Sequence, residues 1–252
     1  MKFIYAFFLL FVSSIAWAQI NKPKVLVCAD AGYPPYSFGE KNSKIADGIY
    51  NKIIEKVFEK MKDDYDITLE PFPWQRAVIA TKNGDAFGLV PPYKSYTERP
   101  WLEYSEPILT EQLVVVCSDK DGKWPESYAG KNIVINNGFV LTKEIYNVFA
   151  GHDIHQVTSK NNEQGLEFLF QNKASCYLSD KNSIYYSLKQ MKLSADKVHL
   201  KSVVASIDGH FGYSTDSKKF PFGKEFIKKF NAILLEMKKK GEVEKIVNSV
   251  LK

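Results

Sequence analysis

The chain has 252 residues, with 34 lysines and arginines against 29 aspartates and glutamates for a formal charge of +5. An excess this small, spread without basic blocks, argues against nucleic acid as a partner. Three scattered cysteines are too few for a disulfide framework, and the four histidines stand at no metal-ligand spacing with acids or thiols, so no metal and no cofactor are expected.

The first residues read as an export signal. Lys2 precedes an apolar run from Phe3 to Ile15, and Ala16-Trp17-Ala18 has the small-x-small form that signal peptidase reads. Cleavage after Ala18 makes Gln19 the mature start and leaves about 234 residues, enough for one large or two small domains with real cores. The apolar run is too short to span a bilayer, and no cysteine stands at the cleavage site to carry a lipid.

Lys24 to Ala29 is a nearly unbroken apolar run of strand length, as a central strand buried on both faces requires. It runs into Asp30 and a loop in which Tyr33 and Tyr36 flank two prolines. Asp47 is a plausible N-cap for a helix whose apolar stripe is Tyr50, Ile53, Ile54, Val57, Phe58 and Met61. Asp66 to Glu70 reads as a strand, and Trp74 to Asn83 as a short helix with Trp74 and Arg76 in its first turn, where side chains lean over the C-terminal edge of a sheet. Ala86 to Val90 is a third strand, followed by Pro91-Pro92, which removes two backbone donors. Gln112 to Ser118, β-branched throughout its middle, is the segment expected to carry the chain into a second lobe.

A second α/β pattern follows. Strands at Asn132 to Ile135, near Ile154 and at Ala174 to Ser179 alternate with helices to about Phe149, at Asn162 to Phe170 and near Ile184 to Met191, a pattern of parallel strands and right-handed crossovers. Val198 to Val204 and Phe211 to Ser214 return the chain, and two final helices close it, the first with the stripe Phe222, Phe226, Phe230, Ile233, Leu234 and Met237. Cys117 and Cys176 either pair, if their strands are neighbours, or stay buried thiols like Cys28. His152 and His155 read as surface residues.

Only two of the 34 basic residues, Arg76 and Arg99, are arginine. A lysine-rich chain keeps arginine where a planar, bidentate grip on a carboxylate or phosphate is needed. Arg99 lies in a stretch running from Gly84-Asp85-Ala86 after a helix, through a short strand and the turn Thr97-Glu98-Arg99, to Tyr104-Ser105-Glu106-Pro107. This stretch resembles the bacterial periplasmic solute-binding proteins of family 3, the polar amino acid type. The resemblance implies that the turn's arginine holds the ligand's α-carboxylate, with Arg76 the alternative because the turn is one residue short. It places Asp30 and Tyr33 as a ligand-contacting acid and a stacking ring, with Tyr36 and Trp74 as further walls, and it matches Asp180 to the aspartate that meets the α-ammonium. From the residues alone, Asp30 can equally be a turn residue and Asp180 an N-cap. Where the family has a threonine or serine after the second lobe's glycine, Gly138, this chain has Phe139 and Val140.

The resemblance implies a type II periplasmic-binding-protein fold: two α/β lobes joined by a two-strand hinge. Residues 1–18 are then the leader, 19–111 and 207–252 lobe one, and 112–206 lobe two. The implied function is capture of an amino acid or related carboxylate in the periplasm by a monomer that is not an enzyme, and delivery to an ABC permease of the inner membrane. Two alternatives stay open. One is a ligand-sensing protein for a membrane receptor, and the other a cyclohexadienyl dehydratase-like enzyme.

Overall fold

The computed structural model describes residues 22–39, 44–95, 99–136 and 143–251. The leader with its Ala18 cleavage site, Thr97 and Glu98 of the arginine turn, and Gly138, Phe139 and Val140 lie outside these residues. In chain order the strands are β1 (Lys24–Asp30), β2 (Gly32–Tyr33), β3 (Ser37–Gly39), β4 (Ala46–Asp47), β5 (Asp66–Phe72), β6 (Gly88–Val90), β7 (Leu102–Tyr104), β8 (Leu109–Cys117), β9 (Asn132–Asn136), β10 (His155–Ser159), β11 (Cys176–Asp180), β12 (His199–Gly209) and β13 (Gly212–Ser214). The α-helices are α1 (Ile49–Glu59), α2 (Trp74–Asn83), α3 (Lys143–Gly151), α4 (Asn162–Phe170), α5 (Lys181–Gln190), α6 (Gly223–Lys239) and α7 (Glu242–Leu251).

Two five-stranded sheets organise the chain. The first has the order β5-β1-β6-β13-β7 and the second β10-β9-β11-β8-β12. In the first, β1 runs parallel to β5 and β6 while β13 is antiparallel to β6 and β7. In the second, β9, β10 and β11 are parallel as the alternation predicts, but β8 and β12 are antiparallel additions. Those two strands pair with each other from Leu109 opposite Gly209 to Cys117 opposite His199, with register shifts at Leu200/Ser202 and Val203/Ala205. One brings the chain out of the first sheet's half and the other returns it, so the two halves are joined by a hydrogen-bonded ribbon.

The first half closes around α1, α6 and α7. The α1 stripe buries Ile49, Tyr50, Ile53, Ile54, Val57 and Phe58 against the sheet, as its 3.6-residue spacing demands. Its start differs from the sequence expectation. Gly48 is the N-cap, at φ 109, and Asp47 sits in β4 with its carboxylate on the Gly48 N–H and the Lys52 ammonium. Glycine is needed there because a Cβ would lie 2.7 Å from the Tyr36 carbonyl oxygen in a backbone region closed to other residues.

The second half has apolar clusters on both faces of its sheet, one around Ile133, Ile135 and Phe149 and the other around Leu166, Tyr177 and Ile184. Two of its helices are capped by side chains: Asn161 accepts the Gln164 N–H at the start of α4, and Asp180 accepts the Ser183 N–H at the start of α5. Cys117 and Cys176 stand directly opposite each other on β8 and β11 and form a disulfide. Cys28 is a buried free thiol whose pKa is pushed up to about 12 by burial and by the nearby Glu70. His155 is exposed and His152 half-buried, but His210 is buried, with Nδ1 at 2.9 Å from the Ser105 carbonyl and its ring edge-on to Tyr104.

Candidate functional site

The loop after β1 turns the chain so that Tyr33 and Tyr36 stack with ring centroids 5.0 Å apart. Tyr50, in the first turn of α1, lies beyond them, 5.7 Å from the Tyr36 ring. Tyr93 follows Pro91-Pro92 and is held by a β-bridge to Gly209, the last residue of β12. These four tyrosines belong to the first half, and they converge on two carboxylates: Glu111 on the ribbon strand β8, and Asp180 at the end of β11 in the second half.

Glu111 is 3% exposed and accepts three phenol hydroxyls. Tyr33 donates to Oε2 at 2.5 Å, Tyr93 to Oε2 at 2.8 Å, and Tyr50 to Oε1 at 2.7 Å. The Tyr33 and Tyr93 hydroxyls are themselves 2.7 Å apart. Gly209 makes room for this collar, since a Cβ there would lie 1.9 Å from the Tyr50 hydroxyl. Burial pushes the Glu111 carboxyl up to about 7, the tyrosine donors pull it down and the Asp180 charge adds to the rise. A carboxyl removed from water and given no cation, only neutral donors, titrates near neutrality for this reason.

Asp180 is reached across the gap between the halves. The Tyr36 hydroxyl lies 2.8 Å from each of its oxygens, while Oδ1 also accepts the Ser183 N–H at 2.7 Å. Asp180 is therefore both the cap of α5 and the acceptor of a side chain from the other half. Burial raises its pKa above the ordinary aspartate value, against the pull of the Ser183 N–H and the Tyr36 hydroxyl. The Tyr36 phenol is raised in turn by burial and by the charges of Asp180 and Glu111.

Arg99 and Trp74 form a second group. The Arg99 guanidinium lies 6.0 Å from the Trp74 ring centroid, and Nη2 donates to the Tyr93 carbonyl at 3.0 Å, which ties this pair to the collar. The Arg99 Nε–H is buried and has no partner among the described residues. Asp30 ends β1, and Arg76 lies in the first turn of α2, just after the neighbouring strand β5. The Arg76 side chain is exposed and lies 6.0 Å from the Phe72 ring, and Phe72 is the register partner of Asp30. The Asp30 carboxylate turns back on the Gly32 N–H at 2.9 Å, as a turn residue does, and burial raises its pKa against that bond.

Of the residues singled out in the sequence, the structure joins Tyr33, Tyr36 and Asp180 in one network and Arg99 with Trp74 in an adjoining group. Asp30 and Arg76 are engaged elsewhere. Three members of the network carried no functional expectation: Tyr50, counted in the helix stripe, and Tyr93 and Glu111. An acid in a largely apolar strand, one residue before the segment assigned to the crossing, was the available signal for Glu111.

Two α/β halves joined by a paired ribbon, with a polar cluster from both halves between them, define a two-lobed binding fold of the type II periplasmic kind. The chain belongs to the bacterial extracellular solute-binding proteins, family 3, whose family model matches residues 25–252. No curated protein matches it. Among solved structures, it is similar to substrate binding domain 2 of Lactococcus lactis GlnP in open conformation, at 19% identity and a TM-score of 0.73, covering 90% of this chain and 95% of that one. It is also similar to the unliganded, open L-cystine solute receptor of Neisseria gonorrhoeae, at 18% identity and a TM-score of 0.72, covering 92% and 93%. A histidine kinase sensor domain with similarity to periplasmic binding proteins aligns at 16% identity and a TM-score of 0.61 over 91% and 96%. At these identities the likenesses speak to the fold.

Proposed function

We propose that the chain is a monomeric periplasmic solute-binding protein that closes its lobes on an amino acid or related carboxylate, performs no chemistry on it, and hands it to an ABC permease in the inner membrane. In this reading the leader ends at Ala18, lobe one comprises 19–111 and 207–252, and lobe two comprises 112–206. The ligand lies between Arg99 with the Trp74, Tyr33 and Tyr36 rings on one side and Asp180 on the other, with Asp30 and Arg76 at the rim. The disulfide between Cys117 and Cys176 supports export to an oxidising compartment.

The observation that carries the reading is Arg99. One edge of its guanidinium is fixed by the Tyr93 carbonyl and the Trp74 ring, while a buried Nε–H is left without a partner among the described residues. A buried donor of this kind costs about 1–3 kcal/mol unless something satisfies it, and a guest carboxylate does so with a charge-assisted bond.

The test is a thermal-shift screen of the twenty common L-amino acids, followed by calorimetry. A ligand at about 1,000 times its dissociation constant adds roughly 4 kcal/mol, which for a chain of this size raises Tm by about 8 to 16 °C. Arg99→Lys keeps the charge but loses the fork, and should weaken binding about ten- to a hundredfold. Arg76→Lys, on an exposed side chain, is the paired control. If no amino acid shifts Tm, the reading fails.

Likeness to a histidine kinase sensor domain supports a second reading, in which the same closure reports to a membrane receptor. Pull-down of a permease or of a receptor from inner-membrane extract with the liganded protein separates the two.

A further inference from the structure

The Tyr36 hydroxyl meets the Asp180 carboxylate across the lobes, at 2.8 Å from both oxygens. Tyr36 is 0% exposed and its ring is fixed between Tyr33 and Tyr50, so the hydroxyl is presented from a rigid stack in lobe one. Asp180 is fixed too, because it caps α5 through Ser183. Other contacts also cross between the lobes, where α5 lies beside α7 around a shared cavity lined by Tyr185, Leu188 and Val247. The Phe38 ring of β3 lies 6.5 Å from the Tyr186 ring of α5, and the Lys189 ammonium of α5 donates to the Val250 carbonyl of α7 at 3.2 Å. Among these contacts of the described residues, the Tyr36 bond is the one that reaches a carboxylate a ligand also needs. An uncharged phenol has therefore taken the place that a ligand's positive nitrogen is expected to fill.

We propose that Tyr36 is a built-in occupant of Asp180: its hydroxyl latches the lobes together until a ligand displaces it and the lobes close again on the guest, and it sets specificity, because only a guest bringing a cationic nitrogen displaces it. The first half of this stands on the contacts just given, and the second rests on the binding function proposed above. A neutral hydroxyl donating to a carboxylate makes a strong hydrogen bond, but an ammonium adds a full opposite charge at the same distance and has three donors to spend. At Asp180, a guest without that charge gains nothing over the phenol already in place. Glu111 reinforces the arrangement from behind. By accepting Tyr33, Tyr50 and Tyr93 it fixes the rings on either side of Tyr36.

Small-angle scattering of the ligand-free protein, stripped by unfolding and refolding, tests the latch without any ligand. The wild type should be compact, and Tyr36→Phe, which keeps the ring stack but lacks the hydroxyl, should have a larger radius of gyration. The closed-to-open ratio should fall about ten- to a hundredfold for the loss of one hydrogen bond to a charged group. Asp180→Asn retains a good cap for α5 but loses the charge, and should open the protein in the same direction. Equal radii for the wild type and both variants overturn the latch.

Calorimetry with the twenty L-amino acids and their N-acetyl derivatives tests displacement. Amino acids that bind should bind Tyr36→Phe more tightly, about tenfold or more, since they no longer compete with the hydroxyl, and the N-acetyl forms should not bind the wild type. Unchanged or weaker binding to Tyr36→Phe overturns displacement. Failure of every amino acid overturns the proposed function instead, and leaves the scattering result to decide the latch.

Discussion

Around the first sheet the core is a crowd of rings. Phe226 alone meets Phe58, Tyr65, Phe87, Phe211 and Phe222 with centroids 4.9 to 6.4 Å apart. Around the second sheet the buried residues are mostly aliphatic, Val114 to Val116, Ile133, Ile135, Leu166 and Ile184 among them, and a covalent bond ties β8 to β11 in the middle of the sheet. One lobe is stabilised by area and ring packing, the other in part by restricting its unfolded chain. The difference follows from what each lobe has to bury. Lobe one is covered by the long α6 and by α7, which supply Phe226, Phe230, Leu234, Met237 and Val243, whereas lobe two is covered by helices of nine or ten residues.

The contrast is broken most sharply in lobe one. Phe226→Ala should cost about 3–5 kcal/mol, a large ring lost from a site whose neighbours are too rigid to collapse. Urea unfolding measures it, and a cost under about 1 kcal/mol would show that the ring cluster is not what holds this lobe. In lobe two, reduction of the disulfide, or the Cys117→Ser/Cys176→Ser pair, should cost about 2–4 kcal/mol, since the bond closes a loop across a sequence separation of 59 residues. Hydrogen exchange should place the loss in the second sheet. If protection falls equally in both lobes, they unfold as one and the comparison dissolves.

Between the lobes, the expected effect depends on pH. Glu111 has a folded pKa of about 7 against an unfolded value of 4.5, so the folded state binds more protons than the unfolded one in that interval. Stability therefore falls as pH rises from the lower value to the upper and levels off above it, by roughly 2 to 3 kcal/mol between pH 5 and pH 8 for this group alone. Relative to the wild type, Glu111→Gln should gain stability over the same interval, and a pH-independent difference in unfolding free energy would sink the assignment. The smallest effect is at the start of α4, where Asn161→Ala should cost about 1 kcal/mol by leaving the Gln164 N–H without its acceptor.

How much of this was legible varies with the kind of signal. Helices with a periodic stripe or a clear boundary, such as Trp74–Asn83 and Asn162–Phe170, were readable to the residue. The parallel core of the second sheet followed from alternation, but the antiparallel placement of β8 and β12 did not, because direction is set by the connections and not by the strand's own composition. The cap of α1 was misplaced by one residue because Asp47 has the better side chain for the task while only Gly48 can take the backbone angle. The gathering of Tyr33, Tyr50 and Tyr93 on Glu111 was not legible, for a different reason. Tyr33, Tyr50, Tyr93 and Glu111 come from four elements with no common spacing, and Tyr50 fits the apolar stripe of α1 as well as any leucine would. Asp180 was left open between cap and ligand contact, and the structure shows the cap together with a bond to Tyr36.

The order in which the strands occur along the chain bears on how the protein comes into being. Every strand of the second sheet lies between Leu109 and Gly209, whereas in the first sheet β6, ending at Val90, waits for β13, beginning at Gly212. A polypeptide emerging from its N-terminus can therefore assemble lobe two from one continuous stretch while lobe one still lacks the interior strand β13 and the covering helices α6 and α7. Contacts so far apart in sequence carry the larger closure cost and form late. Until the last forty residues arrive, the aromatic core of lobe one is exposed, and it is this half of the newborn chain, not the disulfide-bearing half, that needs shelter from aggregation.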